Sequence, residues 1–235
     1  MEQANPTINQ ALEAFLGEQK QRLATKTYAK YEAVIHLLGD CLDSYGHLSL
    51  SAREGKVWHK AFMQDEEAGA FCNMFGPDKI PENVGEFLGY FMIRKVMAGQ
   101  DLLKASGTVV RKLLKWLRAE DLIEAADAQD GLEIVDDIGP DLAISDEFSF
   151  RLGSLCLEQP TGRVLEEWED AYAGIAKVEQ GKIWFSNHSA SEVVGPVLVP
   201  KETSDIAKVG WDVSAVYLVR TGKGWHLSEV GTVYP

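Results

Sequence analysis

The spacing of apolar residues changes midway along this chain, and that change constrains the fold more than any other feature. Up to about residue 118 they recur at three- or four-residue steps. From about residue 171 they gather in short β-branched and aromatic runs separated by turn residues. Such a chain builds helices first and a sheet second, so an α+β molecule of two domains is expected. Its 235 residues and 46% hydrophobic content suffice for packed cores in both.

Ile8, Leu12, Phe15 and Leu16 mark a short opening helix. The spacing of Tyr28, Tyr31, Ile35, Leu38 and Leu42 predicts a second, starting near Thr25 or Thr27 and stopped by Tyr45-Gly46. Trp58, Phe62, Phe71 and Phe75 fall on one or two shorter helices across 51–80, closed by a turn at Phe75-Gly76-Pro77-Asp78. A third long helix follows Pro81. A fourth is expected after Ser106-Gly107-Thr108, carrying Val109, Val110, Leu113, Trp116 and Leu117.

In the second half, Ala171–Val178 and Lys182–Ser186 read as one hairpin, and Asp212–Val219 with Trp225–Val233 as another. Val193–Val199 reads as a strand with Pro196 and Pro200 near its edge or ends, and Lys201–Lys208 as a helical turn. Four or five short strands in so few residues predict a small β-barrel, SH3-like or OB-like, over 148–235.

Charge is distributed unevenly. Residues 1–118 hold 15 Lys and Arg against 14 Asp and Glu, and residues 148–235 hold 8 against 11. Residues 119–147 hold 11 acids and no base, so most of the net charge of −13 sits there. Residues 126–147 are therefore expected to form an acidic, exposed linker after a helical domain spanning 1–125. Because the helical part is close to neutral, the overall acidity does not exclude nucleic acid as a partner.

No complete catalytic motif is present. Gly222-Lys223-Gly224 leads into a strand pattern and reads as a hairpin turn rather than a dinucleotide loop. A phosphate loop, a zinc helix and a nucleophile elbow are all missing. The histidines at 36, 47, 59, 188 and 226 lack metal-ligand spacing, and the thiols of Cys41, Cys72 and Cys156 form no C-x-x-C pair. No metal and no cofactor are expected. Glu166-Glu167-Trp168-Glu169-Asp170 reads as a solvated charged turn, and the Asn187-His188-Ser189 sequon as coincidence. The opening Met1-Glu2-Gln3-Ala4-Asn5-Pro6 lacks the form of a signal peptide, and the apolar region 87–97 is too short to span a bilayer. A cytoplasmic location with no membrane partner is expected.

Basic stripes are the positive signal. Arg111, Lys115 and Arg118 fall at i, i+4 and i+7, on one narrow face of the fourth helix, opposite Leu113 and Leu117. Lys26 and Lys30, with Arg22 if the second helix reaches back that far, make a similar stripe opposite Tyr31, Ile35 and Leu38. Such faces suit phosphates, though any amphipathic helix also needs a polar outer side.

The run from Leu23 to Tyr31 followed by Ile35, Leu38 and Leu42 resembles the second helix of the SAM-like core-binding domain of phage integrases and tyrosine recombinases. Lys104 to Ile123 is similar to that domain's last helix and exit, and Thr7 to Leu16 to its first helix. The resemblance covers about residues 7–125 and implies a four-helix bundle that holds one face of duplex DNA. It implies DNA contacts at Lys26, Lys30, Arg111, Lys115 and Arg118. The family's catalytic domain is not recognisable: none of the five histidines is followed three residues later by Arg, and Tyr234 lacks such partners. The leading expectation is a non-catalytic DNA-binding or DNA-associated protein. The alternatives are a protein-interaction module or homo-oligomer, and an enzyme with a site between its domains.

Overall fold

The computed structural model describes residues 5–67, 69–157, 161–187 and 192–235, so Met1 to Ala4 and the His188-Ser189 portion of the sequon lie outside it. It is a mixed helix-and-sheet protein that divides into two compact units, Met1–Pro140 and Asp141–Pro235.

The first unit is a helical bundle. Helix α1 spans Ile8–Arg22 and opens with a capping box, in which Thr7 Oγ1 accepts from the Gln10 backbone and the Gln10 side chain accepts from the Thr7 backbone. Leu23 and Ala24 are both extended, which ends α1 and starts α2, Thr25–Tyr45. Arg22 therefore closes one helix while Lys26 and Lys30 ride on the next, and the three do not form one stripe. Helix α3 spans Ala52–Gln64 and α4 Phe71–Met74. The third long helix expected after Pro81 is irregular. A 3-10 turn at Pro81–Asn83 leads into α5, residues 84–94, whose middle widens into a π-helical turn at Phe87–Phe91.

Helix α6 spans Gln100–Ala119, so the expected start after Thr108 is two turns too late. Ser106 and Gly107 look like helix breakers but are buried inside it. The Ser106 hydroxyl donates to the Leu102 carbonyl at 2.8 Å, and Gly107 provides a close approach. A Cβ at Gly107 would lie 3.0 Å from Gly139 Cα, so the two segments touch backbone to backbone.

Gly139 caps helix α7, Ala125–Ile138, and this helix replaces most of the expected linker over 126–147. The acids that suggested a solvated tether occupy its outer side. Ala128, Gly131 and Val135, at i, i+3 and i+7, are buried, and a Cβ at Gly131 would fall 3.1 Å from Leu114 of α6. Like charges on an exposed face do not prevent a helix whose other face has a core to bury. Phe15, Ile35, Leu38, Leu42, Phe71, Phe87 and Leu88 fill that core with Leu113 and Leu117, each no more than 1% exposed. Every such side chain contributes roughly 1.5–3 kcal/mol of burial.

The rest of the expected linker belongs to the second unit. Helix α8, Leu142–Leu155, buries Phe148 and Leu152 in the same cluster as Ile175, Ile183, Phe185, Val213 and Leu218 of the sheet. Among the described residues six strands follow: β1 Glu166–Glu179, β2 Lys182–Asn187, β3 Val193–Leu198, β4 Asp212–Thr221, β5 Gly224–Glu229 and β6 Val233–Tyr234. Glu166 to Asp170 is thus the start of β1 rather than a charged turn. Its first part pairs antiparallel with β4, from Glu166 opposite Arg220 to Gly174 opposite Asp212. Its second part pairs with β2, and the ladder is irregular between Ile175 and Lys177. The order is β1-β2-β3-β5-β4-β6 with the further β1–β4 pairing, and β3 meets β5 in parallel at Val197 and Trp225. A short helix, α9 at Lys201–Ser204, lies between β3 and β4. The Ser149 hydroxyl accepts from the Val233 amide at 2.8 Å, which ties α8 to β6.

Truncating Phe148→Ala should cost about 3–5 kcal/mol in denaturant unfolding of the sheet unit, since the ring is wholly buried. A second expectation concerns α3, which is held by the Ser51–Glu54 capping box and a 3.0 Å ion pair from Lys79 to Glu54. Hydrogen bonds from Ser51 and Lys79 bring the Glu54 carboxyl down from 4.5 to about 2. Its folded-state value is depressed, so its stabilisation is full above about pH 4.5 and is lost as pH falls to about 2. Melting temperatures of wild type and Glu54→Gln should differ at pH 6 and converge toward pH 2.

Candidate nucleic-acid interface

Helix α6 is amphipathic over five turns. Leu103, Val109, Val110, Leu113, Leu114 and Leu117 are buried on one side, while Lys104, Lys112, Lys115 and Arg118 are exposed on the other. At 3.6 residues per turn, Lys104, Arg111, Lys115 and Arg118 fall within an arc of about 60° and along about 21 Å of helix. The expected trio is therefore brought to one face and extended by Lys104 at its N-terminal end. Lys112 lies beside that arc. Placing the start of α6 after Thr108 hid Lys104; the four- and three-residue steps from Lys104 through Thr108 and Arg111 to Lys115 were the available signal.

Lys30 reaches this helix. Its Nζ lies 3.1 Å from Asp101 Oδ2, and Asp101 precedes Lys104 by three residues, so the start of α2 meets the start of α6. Lys26 is exposed one turn earlier on α2 and makes no ion pair among the described residues. Aromatic packing joins α6 to its neighbours. Phe15 of α1 sits edge-on to Trp116 of α6 at 5.6 Å and stacks at 6.2 Å on Tyr31 of α2.

Acidic groups temper the stripe at two points. Asp101 takes Lys30, and Asp136 of α7 forms an ion pair with the Nη2 of Arg111. Arg111 Nε is buried without a hydrogen-bond partner among the described residues, so the guanidinium is only partly satisfied. No ion pair to Lys104, Lys112, Lys115 or Arg118 occurs among the described residues. Glu32 accepts a 3.2 Å hydrogen bond from the Tyr28 hydroxyl instead of pairing with a base. Burial, then the Glu32 carboxylate, raises the Tyr28 phenol.

In the second unit some cations are paired with aromatic rings and acids. Lys177 Nζ lies 4.6 Å above the Trp184 ring and 2.7 Å from Glu179. Arg220 lies over Trp225 and pairs with Glu166. Trp211 is buried beside Phe148, and Trp168 and Trp225 pack against the core, so only Trp184 of these tryptophans stands outside that cluster.

Among the described residues no group of three His, Cys, Asp or Glu could hold a metal ion. His47 stacks on Trp58 at 4.5 Å. No helix of the described residues is long and apolar enough to cross a membrane. Burial pushes the Cys41 thiol up to about 12 and also raises the Cys72 and Cys156 thiols. No family model, curated protein or solved structure matches this chain.

A thiol reagent at pH 8 should accordingly label Cys156 in the native protein and reach Cys41 and Cys72 only after unfolding. Rapid labelling of all three would contradict this burial.

Proposed function

We propose that this protein binds duplex DNA without cutting it, through the outer face of α6 and the start of α2. The observation that carries the reading is the run of Lys104, Arg111, Lys115 and Arg118 along one face of a helix whose other face is core. Cations spaced along a rigid rod neutralise successive phosphates and release their counterions. The reading extends to a bundle akin to the core-binding domain of tyrosine recombinases, which accords with the succession of α1, α2 and α6. We read the sheet unit as a small barrel of OB-like rather than SH3-like order. Support comes from β1 pairing with both β2 and β4, from β3 running parallel to β5, and from the helical turn between β3 and β4.

A second reading, association with protein or with a second copy, is favoured by Phe150 and Leu157, which are 73% and 83% exposed at and after α8. Sedimentation that gives a stable dimer, together with no duplex affinity, would choose that reading.

For DNA binding, a log–log plot of affinity against salt should have a slope near −0.9 for each phosphate neutralised. Four contacts would weaken binding by about 100-fold between roughly 50 and 200 mM salt. Lys115→Glu with Arg118→Glu should abolish binding without lowering the melting temperature, since both side chains are exposed. Affinity indifferent to salt or to this pair of substitutions would remove the proposal.

A further inference from the structure

Beside the basic stripe lies a notch of about 310 Å³ between α6 and the end of α7, lined by Lys104, Thr108, Arg111 and Lys112 and closed by Val135 and Gly139. Three cationic side chains and one hydroxyl thus surround a single concavity. Its floor depends on the contact of Gly107 with Gly139, because side chains at either position would hold the helices apart. Arg111 is the key member. Its Nη2 is held by Asp136, while its Nε–H is shielded from solvent and unbonded among the described residues. Because Nε is covered, the Nη2 edge that Asp136 holds is the part of the guanidinium an anion with several oxygens can take over.

We infer that this notch is a seat for one phosphate group, and that Asp136 is its built-in competitor. The phosphate would accept from Arg111 and Thr108 and lie between the ammonium groups of Lys104 and Lys112. Asp136 would turn toward water, a small step for a side chain 66% exposed. The other two cations of the lining are not drawn off elsewhere: neither Lys104 nor Lys112 makes an ion pair among the described residues. Helix α7 then has two roles. It builds one wall of the seat, and it holds the seat's affinity down until a stronger anion arrives. In its DNA form the inference rests on the function proposed above, but the phosphate chemistry does not: a backbone phosphodiester and a free phosphate offer the same oxygens.

The test uses the full chain. Inorganic phosphate is titrated while the Arg111 Nε–H and Thr108 amide resonances are followed, and the affinity of a 20-base-pair duplex is measured at fixed salt. Asp136→Asn should tighten duplex binding about tenfold, whereas Asp137→Asn removes an equal charge from an exposed neighbour and should do much less. Thr108→Ala and Lys104→Gln should each weaken it. If wild type binds no duplex but phosphate shifts the Arg111 and Thr108 signals, the DNA reading fails and the seat stands, with free phosphate as its occupant. If duplex binding is lost with Lys115→Glu and Arg118→Glu yet indifferent to Thr108→Ala and Asp136→Asn, the seat is overturned and DNA binding stands. Equal tightening by Asp136→Asn and Asp137→Asn would reduce the effect to general electrostatics and also overturn it. So would a lowered melting temperature in Lys104→Gln/Lys112→Gln with unchanged binding, because those lysines would then serve only the negative end of α7.

Discussion

The contact between Gly107 and Gly139 is the constraint on which the helical unit turns. Two backbones meet there with no side chain between them, and this lets α7 lie against α6 along Gly131, Leu114 and Val135. Without that approach the most acidic stretch of the chain would lose its packing on α6 and keep only that on Pro81 and α5. Its like charges would then favour an extended, solvated segment. With it, repulsion between carboxylates on the outer face is offset by burial on the inner one. The same contact brings Asp136 to Arg111, so the packing of two helices also decides how much of the basic stripe is free.

That coupling gives the basic face its character. A helix with cations on one side and leucines on the other could serve only to stay in solution. Here the stripe is braced by Phe15, Tyr31 and Trp116, joined at its start by Lys30 through Asp101, and checked near its middle by Asp136. A face that is helical, extended and partly self-neutralised has a defined spacing for phosphates and a modest field. The unit carries many acids, so attraction would come from short-range contacts in the stripe rather than from long-range steering.

The sheet unit solves a different problem. A long β1 shares its length between β4 and β2, with an irregular ladder between Ile175 and Lys177. Helix α8 contributes Phe148 and Leu152 to the interior, which makes it part of this unit's core. On its surface Lys177 is engaged with Trp184 and Glu179, and Arg220 with Trp225 and Glu166.

Local pattern was enough to read much of this molecule. The apolar steps of Ile8 to Leu16 and Tyr28 to Leu42 located α1 and α2. The Gly181 and Gly222-Lys223 turns located both hairpins, and the spacing of Arg111, Lys115 and Arg118 located the basic face. These features follow from periods of 3.6 and 2, which any short segment carries within itself. What depended on distant partners was misread. Ser106-Gly107 resembled a helix start because its use, contact with Gly139, lies 32 residues away. Residues 126–147 resembled a tether because charge is visible in the sequence, whereas the surfaces that Ala128 and Val135 bury against are not. Lys104 joined the stripe only once α6 was known to begin at Gln100. The sequence by itself determined the middles of α1 and α2, the two hairpins and where the basic residues fall. Only tertiary packing decided that the acidic segment folds onto them, because a helix with a narrow apolar face is stable only when a complementary surface is near enough to cover it.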